Sequence, residues 1–151
     1  KYPEYIGCIV SEEWKSFSNF RYWYEKNNYG GSNLNLDKDI LYKGNKIYSP
    51  DTCCLVPGFI NTLFTNGKAN RGELPLGVYK EEKNGRTCYR ACMAVSSKNI
   101  KLGTFKTPEE AFQKYKEYKE QYIKDTAKRY KDKIPYSVYE AMMNWKIEIT
   151  D

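Results

Sequence analysis

The strongest constraint on the fold is the segment from Leu76 to Tyr115, which reads as three short strands followed by a helix. Asn84-Gly85 is the signal of a tight hairpin turn, so the strands on either side of it should pair antiparallel. Residues alternate with period two in the next strand, which puts one set on a core face and another on the opposite face. The core set is Tyr89, Ala91, Met93 and Val95, and the opposite set is Arg90, Cys92 and Ala94. Residues 96–99 turn the chain into a third strand that ends at Phe105.

A helix should begin at Thr107. Thr107 is a suitable N-cap, Pro108 fits the first helical position, and Glu109 and Glu110 lie near the positive end of the helix dipole. Aromatic and small residues recur at three- and four-residue spacing and form a stripe that can cover the sheet. The stripe consists of Ala111, Phe112, Tyr115, Tyr118 and Tyr122. The helix is expected to continue through a strongly charged run to Ile134-Pro135.

Four strings in this segment match a known pattern. They are Gly77-Val78-Tyr79, Tyr89-Arg90-Ala91, Leu102-Gly103-Thr104-Phe105 and Thr107-Pro108-Glu109-Glu110-Ala111. The segment resembles the Apetala/ethylene-response-factor type DNA-binding domain of plant transcription factors and of phage-encoded proteins. In that family the exposed face of a three-stranded sheet lies in the major groove of double-stranded DNA.

The resemblance implies a set of DNA-binding residues. They are Tyr79, Arg90, Asn99, Lys101 and Thr104 on the sheet and Tyr115 on the helix, and we add Lys80 and Lys98 as phosphate contacts because of their charge. The same face would also carry Glu81, Cys92 and Ala94, with Arg90 as its arginine. We therefore expect loose or shape-based binding rather than strong guanine-specific readout.

The N-terminal third predicts a different module. A helix should start near Ser11, and its aromatic stripe should be core because that many exposed rings would aggregate. The stripe is Trp14, Phe17, Phe20, Trp23 and Tyr24. Two short strands then flank a turn at residues 43–46, and a helix follows from Gly58 to Phe64, which is a β-β-α arrangement.

This module is similar to the His-Me finger (HNH) segment of phage homing-type endonucleases. The matching residues are Glu13-Trp14, Phe17, Phe20, Leu36-Asp37-Lys38-Asp39, Tyr48-Ser49-Pro50-Asp51-Thr52-Cys53 and Asn61. Such a finger uses a histidine as general base, and the chain contains no histidine. Lys38 occupies the position of the base, and a lysine is ordinarily protonated at neutral pH, so it suits a phosphate contact.

Two interpretations of the finger-like module stay open. As a metal-dependent nuclease it would use Asp37, Lys38, Asp39 and Asn61, with Mg²⁺ as its cofactor. As a degenerate finger it would bind no metal or other cofactor, Asp37 would order the turn, and Lys38 would contact phosphate or solvent. We favour the second interpretation, in which the protein is not an enzyme.

The whole chain predicts an α+β protein of two small domains. We place the finger-like module, with its preceding aromatic helix, at 1–65 and a linker at 66–75. The three-stranded sheet with its long helix takes 76–133, and a C-terminal bracing helix with its tail takes 134–151. Lys68 and Arg71 in the linker, and Lys43 and Lys46 in the first module, are further phosphate contacts, unless the linker is a plain tether. The net charge of +6 in 151 residues is compatible with a nucleic-acid partner.

The five cysteines lack the paired spacing of a zinc site, which favours reduced thiols and the host cell cytoplasm. No apolar run approaches a membrane span, so no membrane partner is expected. The leading hypothesis is therefore a phage-type protein that binds double-stranded DNA. The alternatives are a metal-dependent homing-type endonuclease and a phage-encoded inhibitor of a host nuclease or other DNA-binding protein.

Overall fold

The computed structural model describes residues 5–30, 33–65, 72–96 and 98–151. The chain divides into two compact units, of which the first combines Lys1–Thr65 with Ala127–Asn144 and the second combines Asn66–Thr126 with Trp145–Asp151. This division differs from the predicted bounds because residues 127–144 group with the first unit. The predicted linker contacts Lys68 and Arg71 lie outside the described residues.

The first unit opens with β1 (Ile9–Val10), a 3-10 turn (Glu12–Lys15) and α1 (Phe17–Asn27). Trp14 is buried and packs edge-on against Phe20 at 5.1 Å and Trp23 at 4.7 Å between ring centroids. Ser16 is extended, so α1 starts one residue later and Trp14 does not belong to it. As a result Phe17 is 74% exposed, and the expectation that it lies in the core is wrong.

The β-β-α arrangement is confirmed. Strands β2 (Leu34–Asp37) and β4 (Cys54–Pro57) pair antiparallel, and α2 (Gly58–Phe64) follows directly. Residues 53–56 are all buried, which makes β4 the centre of this unit's core. A parallel pairing of β1 with β3 (Ile47–Tyr48) was not predicted, because strands of two residues are too short to show a period.

The second unit contains the antiparallel three-stranded sheet that the sequence predicts. Its order is β5 (Val78–Lys83), β6 (Arg86–Val95), β7 (Lys98–Phe105). Asn84 and Gly85 have φ of 52° and 71°, as a two-residue hairpin turn with the right twist requires. Val78, Ala91 and Met93 are buried on the inner face.

A β-bulge interrupts the pairing of β6 with β7. Ala91 pairs with Gly103, whereas the next residue, Cys92, pairs with Lys101, so Leu102 is the extra residue. Gly103 has φ of +154°, and a Cβ there would lie 2.8 Å from the Phe105 ring. The backbone at the bulge therefore requires glycine, which explains the Leu-Gly-Thr-Phe string.

The long helix α3 (Pro108–Arg129) packs on the inner face. Its N-terminus is a capping box, because Glu110 N–H donates to Thr107 Oγ1 at 3.2 Å and Thr107 N–H donates to Glu110 Oε2 at 3.3 Å. Tyr115 covers Gly77 so closely that a Cβ at Gly77 would lie 2.1 Å from the tyrosine ring.

The last elements follow α3. The helix ends before the predicted stop at Ile134-Pro135, and a 3-10 turn (Lys131–Lys133) leads to α4 (Tyr136–Asn144), where Val138 and Met142 are buried. None of the helices in the described ranges has both the length and the apolar character of a membrane span.

Candidate nucleic-acid interface

The outward face of the sheet is defined by its register. Partners across the ladders share a face, and Val78, Ala91 and Gly103 mark the inner one, so their neighbours Tyr79, Arg90 and Thr104 point the other way. The residues on the outward face are Tyr79, Glu81, Lys83, Arg86, Cys88, Arg90, Cys92, Ala94, Asn99, Lys101 and Thr104. We call this set the outward face.

The outward face is solvent-accessible and basic. All members of this face are exposed or half-buried. The exposed ones include Tyr79, Lys83, Arg86, Lys101 and Thr104. The cations are Lys83, Arg86, Arg90 and Lys101, and the carboxylate is Glu81. Four cations against one carboxylate leave a net charge of +3 on this face.

Arg90 is held at the middle of the face. Its Nη1 donates to Glu81 Oε1 in a half-exposed ion pair, and its guanidinium carbon lies 5.8 Å from the centroid of the Tyr79 ring. The Nε–H of Arg90 is buried and has no hydrogen-bond acceptor. Glu81 therefore orients the guanidinium without satisfying all of its donors.

One end of the face forms an open depression of about 480 Å³ beside the hairpin turn. Its lining residues are Lys83, Asn84, Arg86, Cys88 and Thr104. Lys83 and Arg86 were not among the predicted DNA-binding residues. The signal was present, because the two residues that flank a two-residue hairpin turn pair with each other and share a face.

Three of the predicted DNA-binding residues lie elsewhere. Lys80 pairs with Tyr89 and Lys98 pairs with Val95, so the register assigns both lysines to the inner face. Both remain exposed. Tyr115 is 4% exposed because its ring lies over Gly77, which leaves little of it for a contact with DNA. Tyr79, Arg90, Asn99, Lys101 and Thr104 do share the outward face.

The finger-like module brings Asp37, Lys38 and Asp39 into one turn after β2. Asp37 Oδ1 accepts hydrogen bonds from the backbone N–H groups of Asp39 at 2.8 Å and Ile40 at 2.7 Å. Burial raises the pKa of the Asp37 carboxyl, although these two donors act in the opposite direction. This carboxylate orders its own turn.

Lys38 is buried and directed toward its neighbour. Its Nζ lies 2.7 Å from Asp39 Oδ1 and 5.9 Å from the Tyr48 ring centroid. Asn45 Nδ2 donates to the carbonyl oxygen of Lys38 and to that of Ile47, each at 2.7 Å, so the strand ends are joined around the turn. The buried ammonium is occupied by an intramolecular partner and offers little to a phosphate.

The fourth predicted member of this site, Asn61, lies half-buried on α2. That helix starts from the end of the β2–β4 pair where Leu34 partners Pro57, and Asp37 lies at the opposite end, where it partners Cys54. Among the described residues, no three or more His, Cys, Asp or Glu side chains are grouped as a metal site would require.

Two of the cysteines, Cys53 and Cys54, lie in surroundings that do not activate a thiol. Cys53 and Cys54 are buried, and burial raises the pKa of both thiols. None of the five cysteines, all of which lie in the described ranges, forms a disulfide bond. The buried thiols of Cys53 and Cys54 therefore stay protonated and behave as small apolar side chains.

Comparison of the chain with protein-family models, with curated proteins and with solved structures finds no significant match.

Proposed function

We propose that the protein binds double-stranded DNA through the outward face of its sheet, without nuclease activity. The observation that carries this proposal is the exposed face with a net charge of +3 on a sheet whose other face packs against α3 around Val78, Ala91 and Met93. Such a twisted antiparallel sheet can enter the major groove with its strands. Lys83, Arg86 and Lys101 are the expected phosphate contacts, and Tyr79 and Arg90 lie between them.

The expected binding is weakly selective for sequence. A bidentate arginine is the usual reader of guanine, and on this face the guanidinium of Arg90 is already engaged by Glu81. Ala94 and Cys92 offer few groups for hydrogen bonds to base edges. The phosphate contacts would then provide most of the affinity, which makes it steeply dependent on salt.

The experiment is a fluorescence anisotropy titration of a labelled duplex at several salt concentrations. Lys101→Gln should lower the affinity and reduce the slope of log K against log salt by about 1. Lys80→Gln is the matched control, because it removes the same charge from an exposed strand residue on the inner face. Equal effects of the two substitutions would show that net charge, rather than the outward face, attracts the DNA.

The same titration separates the proposal from a protein inhibitor. An inhibitor that imitates or blocks a DNA site need not bind duplex DNA. Binding through phosphate contacts must weaken as the salt concentration rises, so an affinity for the duplex that does not change with salt would contradict the proposal.

The absence of nuclease activity is part of the proposal. What supports it is the use of Asp37 as a turn acceptor and of Asp39 as the partner of Lys38. Incubation of supercoiled plasmid with Mg²⁺ or Mn²⁺ tests it. Nicking by the wild type that Asp37→Ala abolishes would establish the endonuclease instead.

A further inference from the structure

A second cluster of aromatic and basic side chains lies in the first unit, around the 3-10 turn that follows α3. Segment 127–140 contains Lys128, Arg129, Lys131 and Lys133 against two acids, Asp132 and Glu140. In the described part of the chain, none of these four cations forms an ion pair. This differs from the outward face, where Arg90 is paired with Glu81.

The rings in this cluster form two similar arrangements. Phe59 contacts Tyr130 at 4.8 Å between ring centroids, and the Lys133 ammonium lies 5.8 Å from the Tyr130 ring. In the same way Tyr136 contacts Tyr139 at 6.0 Å, and the Lys131 ammonium lies 5.6 Å from the Tyr139 ring. Each arrangement has an outer ring, an inner ring and a lysine. We call the six residues the ring-lysine patch.

The outer rings are available to a ligand. Tyr136 is 67% exposed and Phe59 is 45% exposed, whereas the inner rings of Tyr130 and Tyr139 are half-buried. In each arrangement the exposed outer ring therefore lies against an inner ring that has a lysine ammonium over it. Within the described residues, no carboxylate forms an ion pair with either ammonium group.

An aromatic face beside a cation matches the chemistry of an unpaired nucleotide. The base can stack on the ring while the phosphate approaches the ammonium, and stacking is indifferent to sequence because every base has a π-face. A duplex keeps its base faces stacked inside the helix, so it cannot use the rings in this way. A carboxylate paired with these lysines would compete with a phosphate for the ammonium groups. No such ion pair exists among the described residues, so the ammonium groups can bind a phosphate.

From these observations we propose that the ring-lysine patch is a binding site for single-stranded nucleic acid, separate from the outward face. Tyr136 and Phe59 each stack one base, and Lys131 and Lys133 contact the backbone phosphates. The proposal does not depend on duplex binding by the sheet, since the two surfaces belong to different units and have different chemistry.

The test is an anisotropy titration of the full chain with a labelled oligothymidine strand and, in parallel, with a labelled duplex. Tyr136→Ala should weaken binding of the single strand about tenfold, in keeping with the loss of one stacked base. Tyr136→Phe should retain most of the affinity, because the ring is kept. Binding of the duplex should change less than about twofold in either variant.

Tyr22→Ala is the matched control for exposure. Tyr22 is a 69% exposed tyrosine of the same unit, on α1, and no lysine of the described ranges lies over its ring. A Lys131→Gln, Lys133→Gln double variant tests the phosphate contacts, and it should flatten the salt dependence of single-strand binding. Melting temperatures of all variants verify that each one is folded.

Three outcomes would overturn the proposal. The first is a wild type that does not bind the oligothymidine strand, and the second is an equal loss of affinity in Tyr22→Ala and Tyr136→Ala. The third is binding to vesicles that contain anionic lipid without binding to the strand, which would assign the patch to a membrane surface. If Lys101→Gln does not affect duplex binding, the proposal for the outward face is contradicted, and the proposal for the ring-lysine patch is not.

Discussion

Glu81 is the ion-pair partner of Arg90 on the outward face, where the two residues are diagonal neighbours across the β5–β6 ladder. The carboxylate has two opposing effects on an anionic ligand. It fixes the guanidinium next to the Tyr79 ring, and it cancels one of the four positive charges of the face.

The charge effect should dominate in Glu81→Gln. This substitution keeps a hydrogen-bond acceptor for Arg90 and removes the repulsion of phosphate, so we expect duplex binding about two- to fivefold tighter. Glu82→Gln is the control, because Glu82 is an exposed strand neighbour on the inner face. Equal tightening in both variants, measured by anisotropy, would contradict a specific role of the outward face.

Gly77→Ala should destabilise the protein strongly. Gly77 has φ of +74°, and the added Cβ would lie 2.1 Å from Cδ2 of Tyr115, so the tyrosine must leave its position over the sheet. We expect a loss of about 3 kcal/mol in the free energy of unfolding, measured by urea denaturation. Gly85→Ala has a similar φ of +71° and open space around it, so it should cost only about 1 kcal/mol.

The difference between these two variants measures the close approach of Tyr115. If Gly85→Ala were as harmful as Gly77→Ala, the backbone conformation alone would explain both losses.

Lys119 should make the stability rise with pH. It is 7% exposed and forms no ion pair in the described part of the chain, and burial lowers the pKa of its ammonium to about 8. A lysine in the unfolded chain has a pKa of about 10.4. From about pH 8 to about pH 10 the unfolded state therefore binds more protons, and the free energy of unfolding increases with pH.

Lys119→Met should remove this dependence and raise the free energy of unfolding at pH 7 by about 2 kcal/mol. Tyr29 and Tyr48, whose pKa values burial raises to about 12, act in the opposite direction near pH 10. They are present in both proteins, so the difference between variant and wild type isolates Lys119. Lys114→Met, at an exposed position of the same helix, should be nearly neutral.

Asp37→Asn and Asp37→Ala should differ in stability. Asparagine keeps the side-chain oxygen that accepts the N–H groups of Asp39 and Ile40, and it removes a partly buried charge. We expect Asp37→Asn to be about as stable as the wild type and Asp37→Ala to lose roughly 1–2 kcal/mol by urea denaturation. A large loss in the asparagine variant would show that the turn needs the charge itself and not only the acceptor oxygen.

Local signals made much of the second unit predictable. The Asn84-Gly85 turn, the alternation of β6 and the capping residues Thr107 and Glu110 each act over a few residues, and the structure has all of them. The assignment of Arg90 and Lys101 to one face followed from the same alternation together with the family resemblance.

Features that depend on distant partners or on one irregular residue were not predictable. Phe17 is exposed because Ser16 breaks the helical pattern, and nothing in the spacing of the aromatic residues reveals that break. Lys80 and Lys98 were selected for their charge, whereas their face is decided by their partners Tyr89 and Val95. The ring-lysine patch joins Phe59 to a segment far along the chain.

The extra residue at Leu102 gives β7 two alternation frames, one on each side of the bulge. Thr104 follows one frame, and Asn99 and Lys101 follow the other, which is why residues three apart can point the same way. Without the bulge, regular alternation from Gly103 would turn Lys101 toward the helix and Ile100 toward solvent. The bulge, rather than the identity of any side chain, therefore decides which groups of this strand a ligand meets.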